Sequence, residues 1–322
     1  EREALKDCQS RRVTVTGATM YVTLEPCCHY GKTPPCTEAI IENGIAKVVV
    51  GSLDPNPKVA GKGIQILKDH GIDVVTGVME KECDDLNEVF MHYIKNKKPF
   101  VVMKYAMTAD GKIATRTGKS QWITGPEARG QVHKDRHRYA GIMVGIGTVL
   151  ADDPTLNCRL EDGLSPTRII CDTSLRIPMD SNIVRTAKTY DTIIATRSKD
   201  NEKIRKLKEA GCQILVQDGQ ADRIDLVDLM DKVGSIGIDS VLLEGGGQLN
   251  WSALEAGIVN KVQVYIGNKI FGGNDAKSPV GGYGVDLPDQ AKRLKLTGLE
   301  KFGPDLLIEY RVENEVVECS QE

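Results

Sequence analysis

No run of about 18 apolar residues that could cross a bilayer occurs anywhere in the 322-residue sequence. The opening residues, "EREALKDCQS", lack the basic flank and apolar stretch of a signal peptide, so a cytoplasmic protein is expected. A strong charge of one sign is missing too. A formal net charge of −3 gives no general attraction to nucleic acid or to an anionic membrane, so any phosphate recognition has to be local. No basic, aromatic-rich strip is present, which counts against a nucleic-acid-binding role. Nine cysteines, an odd number, are few for a disulfide framework in so long a chain. They read as thiols of a reducing compartment, any cluster being a candidate for metal binding or catalysis.

What is present is ordinary for a globular protein: 40% hydrophobic and 27% charged residues, and length enough for two domains. "EREALKDC" reads as a short helix and "ATMYVTLE" (18 to 25) as a strand. "CTEAIIENG" predicts a helix stopped by Gly44, "AKVVVGSLDPNP" a strand and Pro-rich loop, "GIQILKDHG" a helix and "IDVVTGV" a third strand. Such alternation implies a mainly parallel sheet covered on both faces. The charged, helical stretch "MEKECDDLNEVFMHYIKNKKP" (79 to 99) precedes a domain boundary near residue 97. Beyond it, strands are expected at "FVVMKYAMTADGKIA", "GIMVGIG", "TRIICD", "TIIAT", "QILVQD", "SVLLEG" and "KVQVYIG", with helical stretches between several of them. The second domain is therefore also α/β, and larger.

Two segments suggest chemistry. "TLEPCCHYGKTPPC" (23 to 36) sets Cys27 at a strand end and Cys36 at the start of a predicted helix, where free N–H groups and the dipole favour thiolate. The pair is spaced C-x8-C, whereas the common zinc deaminase signature has C-x2-C, so spacing leaves open a zinc site or reduced cysteines in a turn. "VLLEGGGQLNWSALEAG" runs an apolar strand through three glycines into a helix, a geometry that lets backbone N–H groups approach a phosphate. "MVGIGTVLADDP" has a Gly-x-Gly after a strand, but Leu150 stands where the full dinucleotide fingerprint needs glycine. A plain glycine turn is the competing reading there.

"YVTLEPCCHYGKTPPC" followed by "GSLDPNPKVAGKGI" resembles the deaminase half of the bifunctional riboflavin-biosynthesis family, a pyrimidine deaminase joined to a pyrimidine reductase. "KYAMTADGKIATRTGKSQWIT", "VGIGTVLADDPTLNCR", "VLLEGGG" and "YIGNKIFGG" resemble its reductase half, in the same order. The resemblance implies an α/β protein: a cytidine-deaminase-like α/β/α domain in residues 1–97, N-terminally incomplete, followed by a dihydrofolate-reductase-like α/β domain in residues 98–322. In this family the C-x8-C spacing is the rule, which makes Cys27 and Cys36 ligands of Zn2+, with Cys28 a tolerated small residue. Glu1 matches the proton-shuttling Glu of an H-A-E motif whose His would lie two residues before the sequence given. His29, Lys32 and Asn56 match substrate-binding positions.

In the reductase half, Lys104, Thr124, Asp152 and Glu244 match the substrate pocket, and Ser120, Arg136 and Arg159 match contacts to a ribose phosphate. An Arg fork suits phosphate, and a carboxylate near the reacting carbon can exchange a proton. Asp152 is the first candidate for that proton transfer and Lys104 the second. Gly145, Gly147, Thr148, Gly245, Gly246 and Gly247 would line NADPH, with Arg197 and Ser198 near its 2′-phosphate. Trp122 is expected to fill core. The implied function is zinc-dependent deamination of 2,5-diamino-6-(5-phosphoribosylamino)pyrimidin-4(3H)-one followed by NADPH-dependent reduction of the ribosyl chain. The expected partners are small-molecule phosphoribosylaminopyrimidines, with no nucleic acid and no membrane, in a homo-oligomer. Two alternatives stand beside this reading: a reductase whose deaminase half is a remnant, and an editing deaminase acting on nucleic acid.

Overall fold

The computed structural model describes residues 1–31, 33–57, 59–219 and 222–313. The chain divides into two units, Glu1–Lys97 and Lys98–Glu322. In the first, α1 (Arg2–Ser10) precedes β1 (Thr19–Leu24), α2 (Cys36–Glu42), β2 (Lys47–Ser52), α3 (Lys62–Asp69), β3 (Asp73–Val75), α4 (Glu80–Leu86) and α5 (Glu88–Asn96). The strands lie in the order β1-β2-β3, all parallel. The middle strand "KVVVGS" is buried along nearly its whole length, as a parallel strand covered on both faces must be. Ile40, Val48, Val50 and Leu67 are fully buried at its core, each worth about 1.5–3 kcal/mol of burial free energy. On the other face α4 comes close: a Cβ at Gly51 would stand 2.3 Å from Cys83 Sγ, so only glycine fits there. The helical stretch of 79 to 99 is two helices and not one, broken at Asn87, whose side-chain amide donates to the Cys83 carbonyl at 2.8 Å and closes the first of them.

The second unit runs β4 (Phe100–Thr108), α6 (Pro126–Arg138), β5 (Gly141–Gly145), α7 (Ile146–Asp152), β6 (Thr167–Cys171), α8 (Asn182–Arg185), β7 (Thr192–Thr196) and α9 (Asn201–Glu209). It continues with β8 (Gln213–Val216), α10 (Leu226–Ser235), β9 (Ser240–Leu243), α11 (Gly247–Glu255), β10 (Lys261–Gly267), β11 (Arg293–Phe302) and β12 (Asp305–Glu313). Nine strands form one sheet in the order β11-β12-β10-β4-β9-β5-β6-β7-β8. From β10 to β8 every pairing is parallel; β12 and β11 are added antiparallel.

Alternate residues of the central strands feed two separate cores. Met143, Ile169 and Ile193 join Val241, Leu243 and the apolar faces of α10 and α11 on one side. Ile142, Val144, Ile170 and Ile194 meet Val149, Ile183 and Leu207 on the other. That split is the period-two signature of a sheet with helices on both faces. The hairpin β11–β12 has no counterpart among the expected strands. Its first strand is exposed almost throughout and mixes Lys, Arg and Glu with leucines, so it shows none of the apolar density by which the inner strands are read.

Candidate active site

In the first unit the chain leaves β1 through Glu25 and Pro26 into the cysteine loop. Glu25 is 2% exposed, and its carboxylate accepts from the backbone N–H groups of Asp54 (3.3 Å), Gly61 (2.9 Å) and Ile64 (3.3 Å). A buried carboxylate here supplies acceptors for N–H groups at the start of α3, which no side chain of that helix's own N-cap provides. A Cβ at Gly63 would stand 2.2 Å from the Pro26 carbonyl, so α3 presses directly on the turn that carries Cys27.

Cys27 and Cys36 meet at the start of α2. The Cys36 N–H donates to Cys27 Sγ at 3.3 Å, and the Thr37 N–H donates to the Cys27 carbonyl at 3.2 Å. Burial pushes the Cys36 thiol up to about 12, with the neighbouring Glu1 carboxylate and a hydrogen bond to Cys27 acting the same way. Glu1, Cys27 and Cys36 are thus brought together. Arg2 holds this corner closed, donating to the carbonyls of Pro34 and Pro35 at 2.9 Å each. A cation bound by the sulfurs replaces their protons. They offer two corners of a tetrahedral zinc site; among the described residues no group of three or more His, Cys, Asp or Glu is set to hold a metal. The eight described cysteines are all free.

His29 is exposed and lies near enough to Asp54 to favour its ionised form, although burial dominates and raises the Asp54 carboxyl. Asn56, half-buried, donates its N–H to Asp54 Oδ1 at 2.8 Å. Burial raises Cys28, and the Glu25 charge adds to it. Lys32 lies outside the described residues.

In the second unit the polar groups collect on one face of the sheet, under α6. Parallel register sets Gln263 of β10 level with Lys104 of β4, and antiparallel register sets Glu309 of β12 level with Gln263. Met103 pairs with Leu243, so Glu244 follows on beside Lys104. The Lys104 ammonium is 3.6 Å from Glu244 Oε2, and Arg136 grips Glu244 with two parallel bonds, Nε to Oε1 at 2.8 Å and Nη2 to Oε2 at 3.0 Å. Burial alone would raise Glu244, but Arg136 and then Lys104 outweigh it and hold the carboxyl at about 2. Arg136 also donates to the Asn157 carbonyl at 3.2 Å. Its fork, expected to meet a ribose phosphate, is engaged by Glu244. His133, one turn earlier, is lowered by burial and then by Arg136 and Arg159, and its Nδ1 is buried without a hydrogen-bond partner. Arg159 itself is exposed.

Sequence reading passed over Asp135 and Tyr265. Tyr265 is fully buried on β10 and donates its hydroxyl to Asp135 Oδ2 at 3.1 Å; the Lys104 ammonium stands 5.6 Å from the centre of its ring. Burial raises the Asp135 carboxyl to about 6. A signal was there: "KVQVYIG" alternates Lys261, Gln263 and Tyr265 with the apolar Val262, Val264 and Ile266, which puts Gln263 and Tyr265 on one face.

Ser120 and Thr124 belong to the loop after β4, which is pinned at several points. Asp110 accepts from the N–H groups of Phe271 (3.1 Å) and Gly272 (2.7 Å), and Lys269 donates to the Trp122 carbonyl at 2.7 Å. A Cβ at Gly267 would stand 2.3 Å from the Ile123 carbonyl. Thr124 is buried and Ser120 half-buried. Trp122 does not fill core: it is 56% exposed, with the Arg129 guanidinium 4.5 Å from its ring centre. Asp152 is exposed at the end of α7.

The glycines divide into two kinds. A Cβ at Gly247 would stand 2.9 Å from the Ser278 carbonyl, and one at Gly245 would stand 2.9 Å from Asn250 Oδ1, so these two are needed for close packing. At Gly246 the nearest atom is Thr148 Oγ1 at 4.0 Å, and at Gly147 nothing lies within 4 Å. The start of α7 and the loop after β9 therefore approach each other at Thr148 and Gly246, with room for a Cβ at Gly246 and open space at Gly147. The N-cap of α11 is Gly246, so the first N–H groups of that helix have no side-chain cap. Half-buried Gly145 precedes α7. Farther along the same edge Arg197, half-buried, donates to the Asp218 carbonyl at 3.0 Å, and Ser198 Oγ accepts from the Asp200 N–H at 3.2 Å. This donor set and cradle fit a phosphate-bearing dinucleotide laid across the carboxyl ends of parallel strands.

Fold and site together define a two-part α/β enzyme, with a deaminase-type thiol loop in one unit and a reductase-type glycine cradle in the other. Residues 99–308 match the RibD C-terminal domain family, and residues 1–52 match the cytidine and deoxycytidylate deaminase zinc-binding region. The chain is 53% identical over 312 residues to the riboflavin biosynthesis protein RibD of Actinobacillus pleuropneumoniae, spanning 97% of this chain and 82% of that one. Among solved structures it is similar to a diaminohydroxyphosphoribosylaminopyrimidine deaminase/5-amino-6-(5-phosphoribosylamino)uracil reductase from Thermotoga maritima, at 35% identity and TM-score 0.83, covering 97% and 84% of the two chains. It is also similar to the riboflavin biosynthesis reductase of Saccharomyces cerevisiae, at 26% identity and TM-score 0.54, covering 71% of this chain and all of that one. The chain belongs to the RibD family, the bifunctional deaminase-reductases of riboflavin biosynthesis. Among the described residues no helix is long and apolar enough to cross a membrane.

Proposed function

We propose that residues 1–97 remove the 2-amino group from 2,5-diamino-6-(5-phosphoribosylamino)pyrimidin-4(3H)-one by hydrolysis. Residues 98–322 then reduce 5-amino-6-(5-phosphoribosylamino)uracil with NADPH. The observation that carries this reading is the ionic group Lys104–Glu244–Arg136 at the edge where the open glycine loops converge. The activities in the name of the Thermotoga maritima relative support the choice of substrates.

In the deaminase unit Cys27 and Cys36 would hold Zn2+, which when bound supplies an activated water. Glu1, beside Cys36, carries a proton to the departing amino nitrogen. His29, Lys32 and Asn56 bind the pyrimidine and its ribose phosphate, and Glu25 keeps their loops in register.

In the reductase unit NADPH, when bound, would supply a hydride for C1′ of the sugar. Gly145, Gly147, Thr148 and Gly245 to Gly247 would hold its phosphates, and Arg197 and Ser198 would meet its 2′-phosphate. Charge balance then requires a proton at the atom that gives up its bond to C1′. Asp152 and Lys104 are the groups proposed to deliver it. Lys104 has the better support, being a half-buried ammonium held beside a fixed carboxylate. Glu244, Thr124, Ser120 and Arg159 bind the substrate, and Arg136 orients Glu244.

Ammonia release and NADPH oxidation, measured separately on the purified chain with each substrate, test the two halves. Failure to oxidise NADPH with the uracil substrate would sink the reductase reading. Oxidation without ammonia release would favour the reductase-only alternative. A homo-oligomer belongs to the same reading and is checked by sedimentation.

A further inference from the structure

Outside the groups already given roles, the pair Asp135–Tyr265 is the buried polar arrangement that stands beside Lys104. Both side chains are buried, at 4% and 0% exposure, and their hydrogen bond ties α6 to β10 across 130 residues of sequence. Burying a carboxyl and a phenol together costs several kcal/mol of solvation unless each is satisfied. The same spot could have been filled with leucines, as its neighbours Ala128, Leu307 and Val132 show. Tyr265 is the largest member of that small cluster, and its ring is also the surface beside the Lys104 ammonium. Asp135 and Arg136 are adjacent on α6, so one turn of helix anchors both Tyr265 and Glu244, the two groups that flank Lys104.

We propose that Asp135 and Tyr265 are positioning residues of the reductase: Asp135 fixes the Tyr265 hydroxyl, and the fixed ring holds Lys104 against Glu244 at the reacting carbon. This rests on the reductase reading above. The geometry resembles a clamp with two jaws on one helix. Arg136 draws Glu244 to one side of Lys104, and Asp135 draws Tyr265 to the other. An ammonium on a four-carbon stem needs such restraint, because small misplacement of a reacting group is costly in rate.

The charged groups around Asp135 come from each element packed on it. Lys104 from β4 favours its ionised form, whereas Glu309 from β12 opposes it, the latter already shared by Lys261 (3.2 Å) and the Gln263 amide (3.0 Å) of β10. On its own helix Gln131 donates to Asp135 Oδ1 at 3.3 Å. Burial leaves the carboxyl titrating at about 6. Below that pH the acceptor of the Tyr265 hydroxyl is neutral and the clamp loosens. The reductase is therefore expected to lose turnover on the acid side of pH 6 with little change in KM.

The test uses the full chain and the variants Tyr265→Phe and Asp135→Asn, which keep shape and remove the bond from either end. Each should lower kcat for NADPH oxidation about tenfold or more, leave the KM of the uracil substrate within about twofold, and abolish the acid limb near pH 6. A merely structural pair would lower the melting temperature and leave the shape of the pH profile unchanged, and that result overturns the proposal. Carboxyl-carbon NMR titration of the wild type and of Tyr265→Phe gives a readout free of activity, Asp135→Asn identifying the signal. The Asp135 midpoint should move upward when the hydroxyl is removed; an unmoved midpoint refutes the link. If the wild type fails to oxidise NADPH while the midpoint does move, the functional reading falls and the Tyr265–Asp135 link stands.

Discussion

Replacing Arg136 by Met puts the ionic group at the reductase edge to a quantitative test. Met keeps the aliphatic stem and deletes the fork that holds Glu244 at 2.8 and 3.0 Å. Glu244 is only 12% exposed, so among the described residues its charge is left with Lys104 at 3.6 Å as its one close cation. The wild-type carboxyl sits at about 2 against an ordinary 4.5. At about 1.4 kcal/mol per pH unit, that depression is on the order of 3 kcal/mol, within the ~3–5 kcal/mol expected when one partner of a buried ion pair is removed.

The direction with pH follows from the depressed value. In the wild type Glu244 contributes its stabilisation fully above about 4.5, and the contribution is lost as pH falls toward about 2. In Arg136→Met burial raises the same carboxyl, which can take a proton on acidification and relieve the penalty. The difference between the two proteins should be about 3 kcal/mol at pH 7 and close steadily as the pH is lowered. Both tryptophans, Trp122 and Trp251, lie in the second unit, so urea unfolding followed by tryptophan fluorescence reports that unit alone. A loss below about 1 kcal/mol at pH 7, or one that does not change with pH, would refute the assignment of the ion pair as a strong buried contact.

Three further outcomes follow from other contacts. Arg168 is fully buried on β6 with no carboxylate partner among its described bonds; it donates to Thr192 Oγ1, Thr186 Oγ1 and the carbonyls of Thr155, Ile183 and Tyr190. Arg168→Leu strands these acceptors at ~1–3 kcal/mol each, so the melting temperature should collapse or the chain should fail to accumulate. Gly247→Ala should destabilise the second unit, whereas Gly246→Ala should leave its melting temperature within a degree or two and weaken NADPH binding by about tenfold, as followed by nucleotide fluorescence. Asp152→Asn should leave NADPH binding nearly intact and lower kcat if Asp152 delivers the proton; an unchanged rate assigns that role to Lys104.

Legibility in the sequence followed burial. Inner strands such as "GIMVG" and "TIIAT" are buried at nearly every position and mostly apolar because both faces are covered, and they could be read from composition alone. The exposed strand β11 could not, since a solvated edge constrains residue type only weakly. Cys27, Cys36 and Glu1 could be named because their order in the chain resembles a known arrangement, and they do gather at one corner. Asp135 and Tyr265 escaped because they meet across 130 residues, a pairing that only the packing of α6 on the sheet creates. The glycine run was only partly understood: Gly245 answers to the Asn250 side chain inside the motif, but Gly247 answers to the backbone of residues 278 to 281, which no local motif contains.

Glu25 sets a limit on how this protein can be taken apart. One carboxylate is shared by residues 54, 61 and 64, so the loop bearing Cys27 and Cys36 and the loop bearing Asn56 are a single part made from two stretches of chain. Transplanting residues 23–36 into another scaffold would carry the sulfurs without the strut that aims them. A graft must bring residues 51–64 along, and homologues that lengthen one loop must hold the spacing of the other.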